Sequence, residues 1–164
     1  MAELLEGWAD FNVAMVGATA ALAGLLIVAM SVNISTIMSS PTLPARAASS
    51  IAALVLAIVA GALGLVPGQG EIAYGVEVLV AAIVAAAFHV HAMRVIARED
   101  HISAADRFGK SILGAVPIAA FLVGGVLITV GVGAAGLVAV AIGSLLAVIA
   151  AIVMAWVMLV EVLR

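Results

Sequence analysis

The 164-residue chain is 67% hydrophobic and only 9% charged, with a formal net charge of −3 and no cysteine. Charged residues make up about a quarter of a soluble domain, and this chain has too little polar surface to cover a water-exposed fold. The composition excludes a soluble globular domain, a disulfide scaffold and thiolate chemistry. It predicts an integral membrane protein whose first partner is the lipid bilayer, with no expectation of a cofactor or of nucleic-acid binding.

Five apolar runs are long enough to cross a bilayer, which takes about 20 residues. They lie at about 10–37, 45–66, 72–97, 111–131 and 136–163, and are called the first to fifth spans. The link between the last two is short, glycine-rich and uncharged, so we expect a close antiparallel hairpin there. The N-terminal segment before the first span lacks Lys and Arg, which favours a retained span over a cleaved signal peptide. The prediction is one transmembrane domain, an all-α bundle of five helices.

The basic residues predict the orientation of this bundle. With five spans, all of them fall on one side of the membrane, in the first and third connections and at the C-terminal end: Arg46, Arg94, Arg98, Arg107, Lys110 and Arg164. Cytoplasmic loops are enriched in Lys and Arg. We therefore expect the N-terminus outside and the C-terminus inside.

Small residues line one face of the first span at alternating steps of four and three, which is a helical repeat. This small-residue stripe comprises Ala14, Gly17, Ala21, Gly24 and Ser31. Small residues let two membrane helices approach with their backbones in close contact. We expect the first span to pack centrally in the bundle through this face.

The fifth span carries a second ladder of small residues at four-residue spacing: Gly143, Ala147, Ala151 and Ala155. This pattern is also typical of helix packing. It predicts a seat for the first span, either within the chain or in a neighbouring subunit.

Ionisable residues of the third span are candidates for a polar path. Glu77, His91 and Arg98 share one helix face, and ionisable groups inside a bilayer tend to face protein or water. The alternative is that Glu77 and Arg98 simply reach the two membrane interfaces. Asn33 in the first span is a further path candidate, or else a hydrogen-bonding pin between helices.

Metal binding and hinge motion are the remaining possibilities. His89 and His91 are two residues apart and point in nearly opposite directions on a helix, so no metal site is predicted. The favoured arrangement is an interhelical hydrogen bond from one ring and exposure of the other. Pro117 interrupts the fourth span and is a hinge candidate, because it removes a backbone donor.

Several segments resemble a group of small bacterial multi-span membrane proteins of unknown function. They are Gly17–Leu25, Val28–Asn33, Leu43–Arg46, Leu65–Gln69 and Ala155–Arg164, together with Trp8 and Phe11. Some members of that group carry a label suggesting that they modulate a membrane-anchored ATP-dependent protease. The resemblance implies a bacterial plasma (inner) membrane setting.

The sequence favours a non-enzymatic, homo-oligomeric membrane protein, with a pore for ions or small solutes as its function. Five helices enclose little space, so a pathway is expected to need several copies. The alternative is an accessory or regulatory subunit that docks on a larger membrane complex, such as a membrane protease or transporter. No phosphate loop, nucleophile elbow or pair of intramembrane carboxylates is present, so no catalytic residue is predicted.

Overall fold

The computed structural model describes residues 2–98 and 104–161, which are helical almost throughout. Five helices in these ranges are long and apolar enough to cross a membrane, which confirms the predicted helical membrane fold: Ala9–Val32, Leu43–Leu63, Glu71–Ala97, Ser111–Thr129 and Gly133–Val160. The helix that contains the fourth span begins before the span itself, at Ala104. The fifth is α-helical to Trp156 and then continues as a π-helix, Val157–Glu161. Short helices, Ala2–Glu6 and Ile34–Ser39, flank the first span.

Each span packs against the next one along the chain, and the first and fifth spans close the ring. The second span also packs against the fifth, so these two lie at the centre of the bundle. The first span packs mainly against the second and fifth spans. The expectation that it lies centrally is therefore wrong, because the second and fifth spans occupy that place.

The predicted hairpin of the fourth and fifth spans turns at Gly131, whose φ of +89° is a left-handed conformation that suits glycine. The amide of Val132 donates to the Leu127 carbonyl at 2.8 Å, and that of Gly131 donates to the Ile128 carbonyl at 3.1 Å. This pair of bonds is a Schellman motif, which satisfies the last carbonyls of a helix. It reverses the chain within three residues, 130–132, before the fifth span begins.

Glycines keep the two helices of this hairpin close together. A Cβ added at Gly124 would lie 2.9 Å from the Gly136 carbonyl oxygen, and one at Gly136 would lie 2.8 Å from the Gly124 carbonyl oxygen. The fourth span approaches the third in the same way, since a Cβ at Gly125 would lie 3.1 Å from the Gly75 carbonyl. Backbone contact of this kind supplies dispersion energy where lipid removes most of the hydrophobic driving force.

Large apolar side chains fill the space between the second, third, fourth and fifth spans. Tyr74 and Phe121 are completely buried, and Ile128 is 2% exposed. Leu5 of the short N-terminal helix joins the same cluster. In the part of the chain that the structure describes, the centre of the bundle is thus a packed core.

The first span buries a face marked by polar residues, not by small ones. Asn12, Thr19, Leu26 and Asn33 recur every seven residues and are all buried, with at most 6% of each exposed. The small-residue stripe lies about half a helical turn away and all of its members are exposed. Within one chain, the expectation that the first span packs through this stripe is wrong.

The small-residue ladder of the fifth span is buried along its whole length. Ala151 clusters with Ala23 of the first span, and Ala155 clusters with Leu26 and Ala29. The ladder therefore seats the first span within the chain, which is one of the two arrangements that the sequence left open. At its other end, a Cβ added to Gly143 would lie 2.9 Å from the Phe121 ring.

Pro117 lies inside the fourth helix, which continues from Ala104 to Thr129 without interruption. Its side chain is fully buried. A Cβ added at Gly143 would lie 3.2 Å from the Pro117 carbonyl oxygen, so the fifth span packs directly over this position.

Candidate functional site

The ionisable stripe of the third span lies on the outside of the bundle. Glu77, His91 and Arg98 are all exposed. Between them, Val84 is 56% and Phe88 is 51% exposed on the same face. Within one copy these residues border lipid or a neighbouring molecule, and they do not enclose a path.

The two ends of this stripe lie near the membrane interfaces. The third span has 27 residues, which is about 40 Å of helix against a hydrocarbon core of about 30 Å. Glu77 and His91 each lie six residues from an end of the helix, Glu71–Ala97. Gln69, in the connection before the span, donates a hydrogen bond to the Glu77 carboxylate. The geometry places polar groups at the rims and apolar groups in the middle.

Phe88 and Val84 also form one side of an open apolar groove between the second and third spans. The groove measures about 490 Å³ and is lined by Ala48, Ile51, Ala52, Val55, Leu56, Val59, Ala81, Val84, Ala85 and Phe88. Alanines at its base make it concave. The groove has almost no polar lining, so it offers a hydrocarbon surface and no chemistry.

Asn33 is a pin between helices. Its side-chain amide donates to the Met158 carbonyl at 2.9 Å, across the interface between the first and fifth spans. The first span breaks at this residue, since the helix ends at Val32 and resumes at Ile34. The Asn33 amide is therefore bonded to the backbone of the fifth span, and no hydrogen bond among the described residues joins it to Glu77, His91 or Arg98. The structure does not bring the four path candidates together.

A polar site does lie inside the bundle, around His89. This residue is 7% exposed, and its Nδ1 lies 3.0 Å from the Ser49 hydroxyl of the second span. His91, two residues later, is exposed. One histidine therefore makes an interhelical hydrogen bond while the other faces outward, as the sequence analysis favoured.

Gly114 of the fourth span makes room for this pair. A Cβ added there would lie 2.7 Å from both Nδ1 and Cε1 of His89, and 3.5 Å from the Ser49 hydroxyl. Real Cβ atoms do not approach ring atoms this closely, so a side chain at this position would displace the imidazole. The second, third and fourth spans thus meet at one hydrogen bond.

The sequence analysis considered His89 but left open which of the two histidines would be bonded, and it did not single out Ser49 or Gly114. Ser49 and Ser50 are consecutive hydroxyl residues in an alanine-rich stretch, and polar residues within a span usually face protein. That pattern indicates that a hydroxyl of the second span faces another helix. The partner could not be identified, because the contact depends on how three helices rotate about their axes.

Protein-family models, curated proteins and solved structures yielded no match to this chain. Its function is therefore inferred from its own geometry: a five-helix membrane bundle with a buried histidine–serine pair and an outward-facing stripe of small residues.

Proposed function

We propose that this integral membrane protein works as a non-enzymatic homo-oligomer, in which copies associate through the small-residue stripe of the first span. The supporting observation is that the stripe faces outward. A Cβ added at Gly17 or Gly24 would meet no atom within 4 Å, whereas one at Gly61, Gly75 or Gly136 would lie within 3 Å of a neighbouring span.

The physical argument for a partner comes from Gly17 and Gly24, whose open sides contact no other span. Glycine in a helix interior is about 1 kcal/mol less favourable than alanine. Inside the bundle that loss is offset by close helix contact, but Gly17 and Gly24 have no such contact within the chain. A flat face of small residues allows the backbone of a second helix to approach closely. We expect van der Waals packing on this face to be more favourable for a helix than for lipid tails.

A pore is part of the proposal only as a passage between copies. The interior of a single copy is filled around Tyr74 and Phe121. The ionisable residues of the third span face outward, so a passage for ions or small solutes that uses Glu77, His91 and Arg98 would be lined by several third spans.

The second candidate is an accessory or regulatory subunit of a larger membrane complex. It is favoured by the apolar middle of the third-span stripe, where Val84 and Phe88 are about half exposed. A water-filled passage would need polar lining at this depth, whereas a surface that contacts lipid or another protein would not. The resemblance to proteins labelled as protease modulators points the same way.

The membrane setting belongs to the same proposal. The second and third spans run antiparallel, which brings Arg46, Arg94 and Arg98 to one end of the bundle. The positive-inside rule then assigns this end to the cytoplasm and the N-terminus to the outside. The bacterial plasma membrane is the proposed location, from the resemblance described above.

Measuring the mass of the purified protein in mild detergent tests the proposal. We expect an oligomer for the natural sequence and a monomer for the double substitution Gly17→Leu and Gly24→Leu. Ala18→Leu is the matched control, because Ala18 is also small and exposed but lies about a quarter turn from the stripe. It should leave the mass unchanged, and a monomeric natural protein would overturn the self-association proposal.

Two further measurements separate the candidates. Ion flux from proteoliposomes that falls on His91→Ala supports a passage between copies, while an oligomer that does not leak excludes it. Crosslinking in native membranes that recovers a distinct membrane protein through Gly17→Cys, instead of a second copy, supports the accessory subunit.

A further inference from the structure

A small cavity lies beside His89, between the second, third, fourth and fifth spans. Its volume is about 40 Å³, and its lining comprises Arg46, Ser49, Ser50, Ala53, His89, Ala92, Ile96, Leu113, Gly114, Ala150 and Met154. The polar members come from the second and third spans. The fourth and fifth spans contribute mainly apolar groups. The cavity lies toward the end of the bundle that carries the basic residues.

Two buried polar atoms at this cavity have no hydrogen-bond partner among the described residues. They are the Ser50 hydroxyl and the His89 Nε2. The other ring nitrogen of His89 is already engaged with Ser49. Leaving a buried donor or acceptor unsatisfied costs about 1–3 kcal/mol, and buried groups of this kind are nearly always paired with protein or with ordered water.

We propose that this cavity binds a water molecule that bridges the Ser50 hydroxyl and Nε2 of His89. A cavity needs about 10–15 Å³ to hold one water, and the water needs two or more polar partners. The volume meets the first condition, and the two unpartnered atoms belong to residues that line the cavity. An apolar occupant would leave both atoms unsatisfied, and no carboxylate lies among the lining residues to favour a cation.

Water also fits either tautomer of the imidazole. If Ser49 donates to Nδ1, then Nε2 carries the proton and donates to the water. If Nδ1 donates to Ser49, then Nε2 accepts from it. An anion would fit only the first arrangement, because it accepts hydrogen bonds and donates none.

The bound water gives the buried imidazole of His89 a partner with which it can exchange protons. Arg46 lines the same cavity and is the fourth residue of its helix, Leu43–Leu63, so the cavity extends toward the basic end. This inference concerns the interior of one copy and does not depend on self-association.

A crystal structure at a resolution that shows ordered water tests the proposal on the unaltered protein. We expect a density peak within about 2.7–3.2 Å of both Ser50 Oγ and His89 Nε2. The main chain of Ser111 also lies beside the imidazole. A ring that bonds directly to Ser111, with no peak in the cavity, would overturn the proposal. So would an anomalous peak at this position after soaking in bromide, which would identify an anion site.

Nuclear magnetic resonance supplies a second readout. In a protein with His91→Gln and His101→Gln, His89 is the only one of the three histidines left. We expect magnetisation transfer from water to its imidazole, reduced at least tenfold by Ser50→Val, which removes the hydroxyl and fills the cavity. A matched protein that retains only His91 should show transfer that does not respond to Ser50→Val. Equal transfer to His89 with and without Ser50→Val would contradict a water held by this hydroxyl.

Discussion

The first and fifth spans both carry a ladder of small residues, but only the ladder of the fifth span packs within the chain. Gly143, Ala147, Ala151 and Ala155 are all buried. The corresponding face of the first span is exposed along its whole length. A small-residue pattern therefore shows that a helix can be approached closely, without showing whether the approaching helix belongs to the same chain.

What distinguishes the two faces of the first span is polarity. Asn12, Thr19 and Asn33 are buried, and the Asn33 amide donates to the Met158 carbonyl of the fifth span, a partner that lipid does not supply. The Thr19 hydroxyl donates within its own helix, to the Met15 carbonyl, and the Asn12 side-chain nitrogen has no hydrogen-bond partner among the described residues. Small residues tolerate either protein or lipid. In this span the polar residues lie on the inward face, and the small-residue stripe lies on the outward face.

The largest effect is expected from a substitution at the packed contact between the fourth and fifth spans. Gly136→Ala places a Cβ 2.8 Å from the Gly124 carbonyl oxygen and 2.9 Å from the Ile128 amide nitrogen. The backbone cannot yield without separating the hairpin, so we expect the free energy of unfolding to fall by about 1–3 kcal/mol. Denaturant titration in mixed micelles measures this change.

Gly24→Ala is the matched control for that experiment. A Cβ at Gly24 meets nothing within 4 Å, so the substitution should leave the stability of the monomer unchanged or raise it by up to about 1 kcal/mol through helix propensity. Both variants are compared at a protein-to-detergent ratio at which the protein is monomeric, so that contacts between copies do not contribute. Equal losses from Gly136→Ala and Gly24→Ala there would show that the outward face is packed within the chain after all.

The next effect concerns the two histidines, which also differ in the face that they occupy. His89→Ala removes the hydrogen bond to Ser49 and opens a cavity beside Gly114, so we expect a loss of about 2 kcal/mol in unfolding free energy. His91→Ala should have no measurable effect on stability, since His91 is exposed. The same titration compares them, and a larger loss for His91 would contradict the assigned rotation of the third span.

A smaller effect is expected from Ser49→Ala, which keeps the packing and removes only the hydroxyl. Interhelical hydrogen bonds in membrane proteins average about 0.6 kcal/mol. We therefore expect a loss well below that of His89→Ala, and little further loss when both residues are changed together. An additive double substitution would indicate that Ser49 and His89 do not interact.

The smallest effect is local. Asn33→Leu removes the bond to the Met158 carbonyl and should cost at most about 1 kcal/mol. Amide hydrogen exchange should become faster around Val157–Glu161. Ser31→Ala serves as the control, because the Ser31 hydroxyl donates only within its own helix, to the Ile27 carbonyl. If amide hydrogen exchange at Val157–Glu161 is unchanged by Asn33→Leu, then the bond from Asn33 does not hold this segment in place.

Much of the fold could be predicted from the sequence, because the length of an apolar run and the turn residues that end it can be read from neighbouring positions in the chain. The five spans and the close hairpin at Gly131 follow from such patterns, and so does the expectation that one of His89 and His91 is bonded to another helix while the other faces outward. Which of the two is bonded could not be predicted in this way. The rotation of the first span and the partner of His89 depend on contacts between distant segments. Large apolar side chains of the first span are exposed as well as buried, so its hydrophobic periodicity does not indicate the inward face.

The bond from Asn33 to Met158 has a consequence for biogenesis. The ribosome releases the first span long before the fifth, yet the polar face of the first span finds this acceptor only on the fifth. Until then the Asn33 amide must remain near the headgroups or be held by the insertion machinery. Closure of the ring, with the earliest and latest helices brought side by side, is thus the step that completes the membrane-embedded fold.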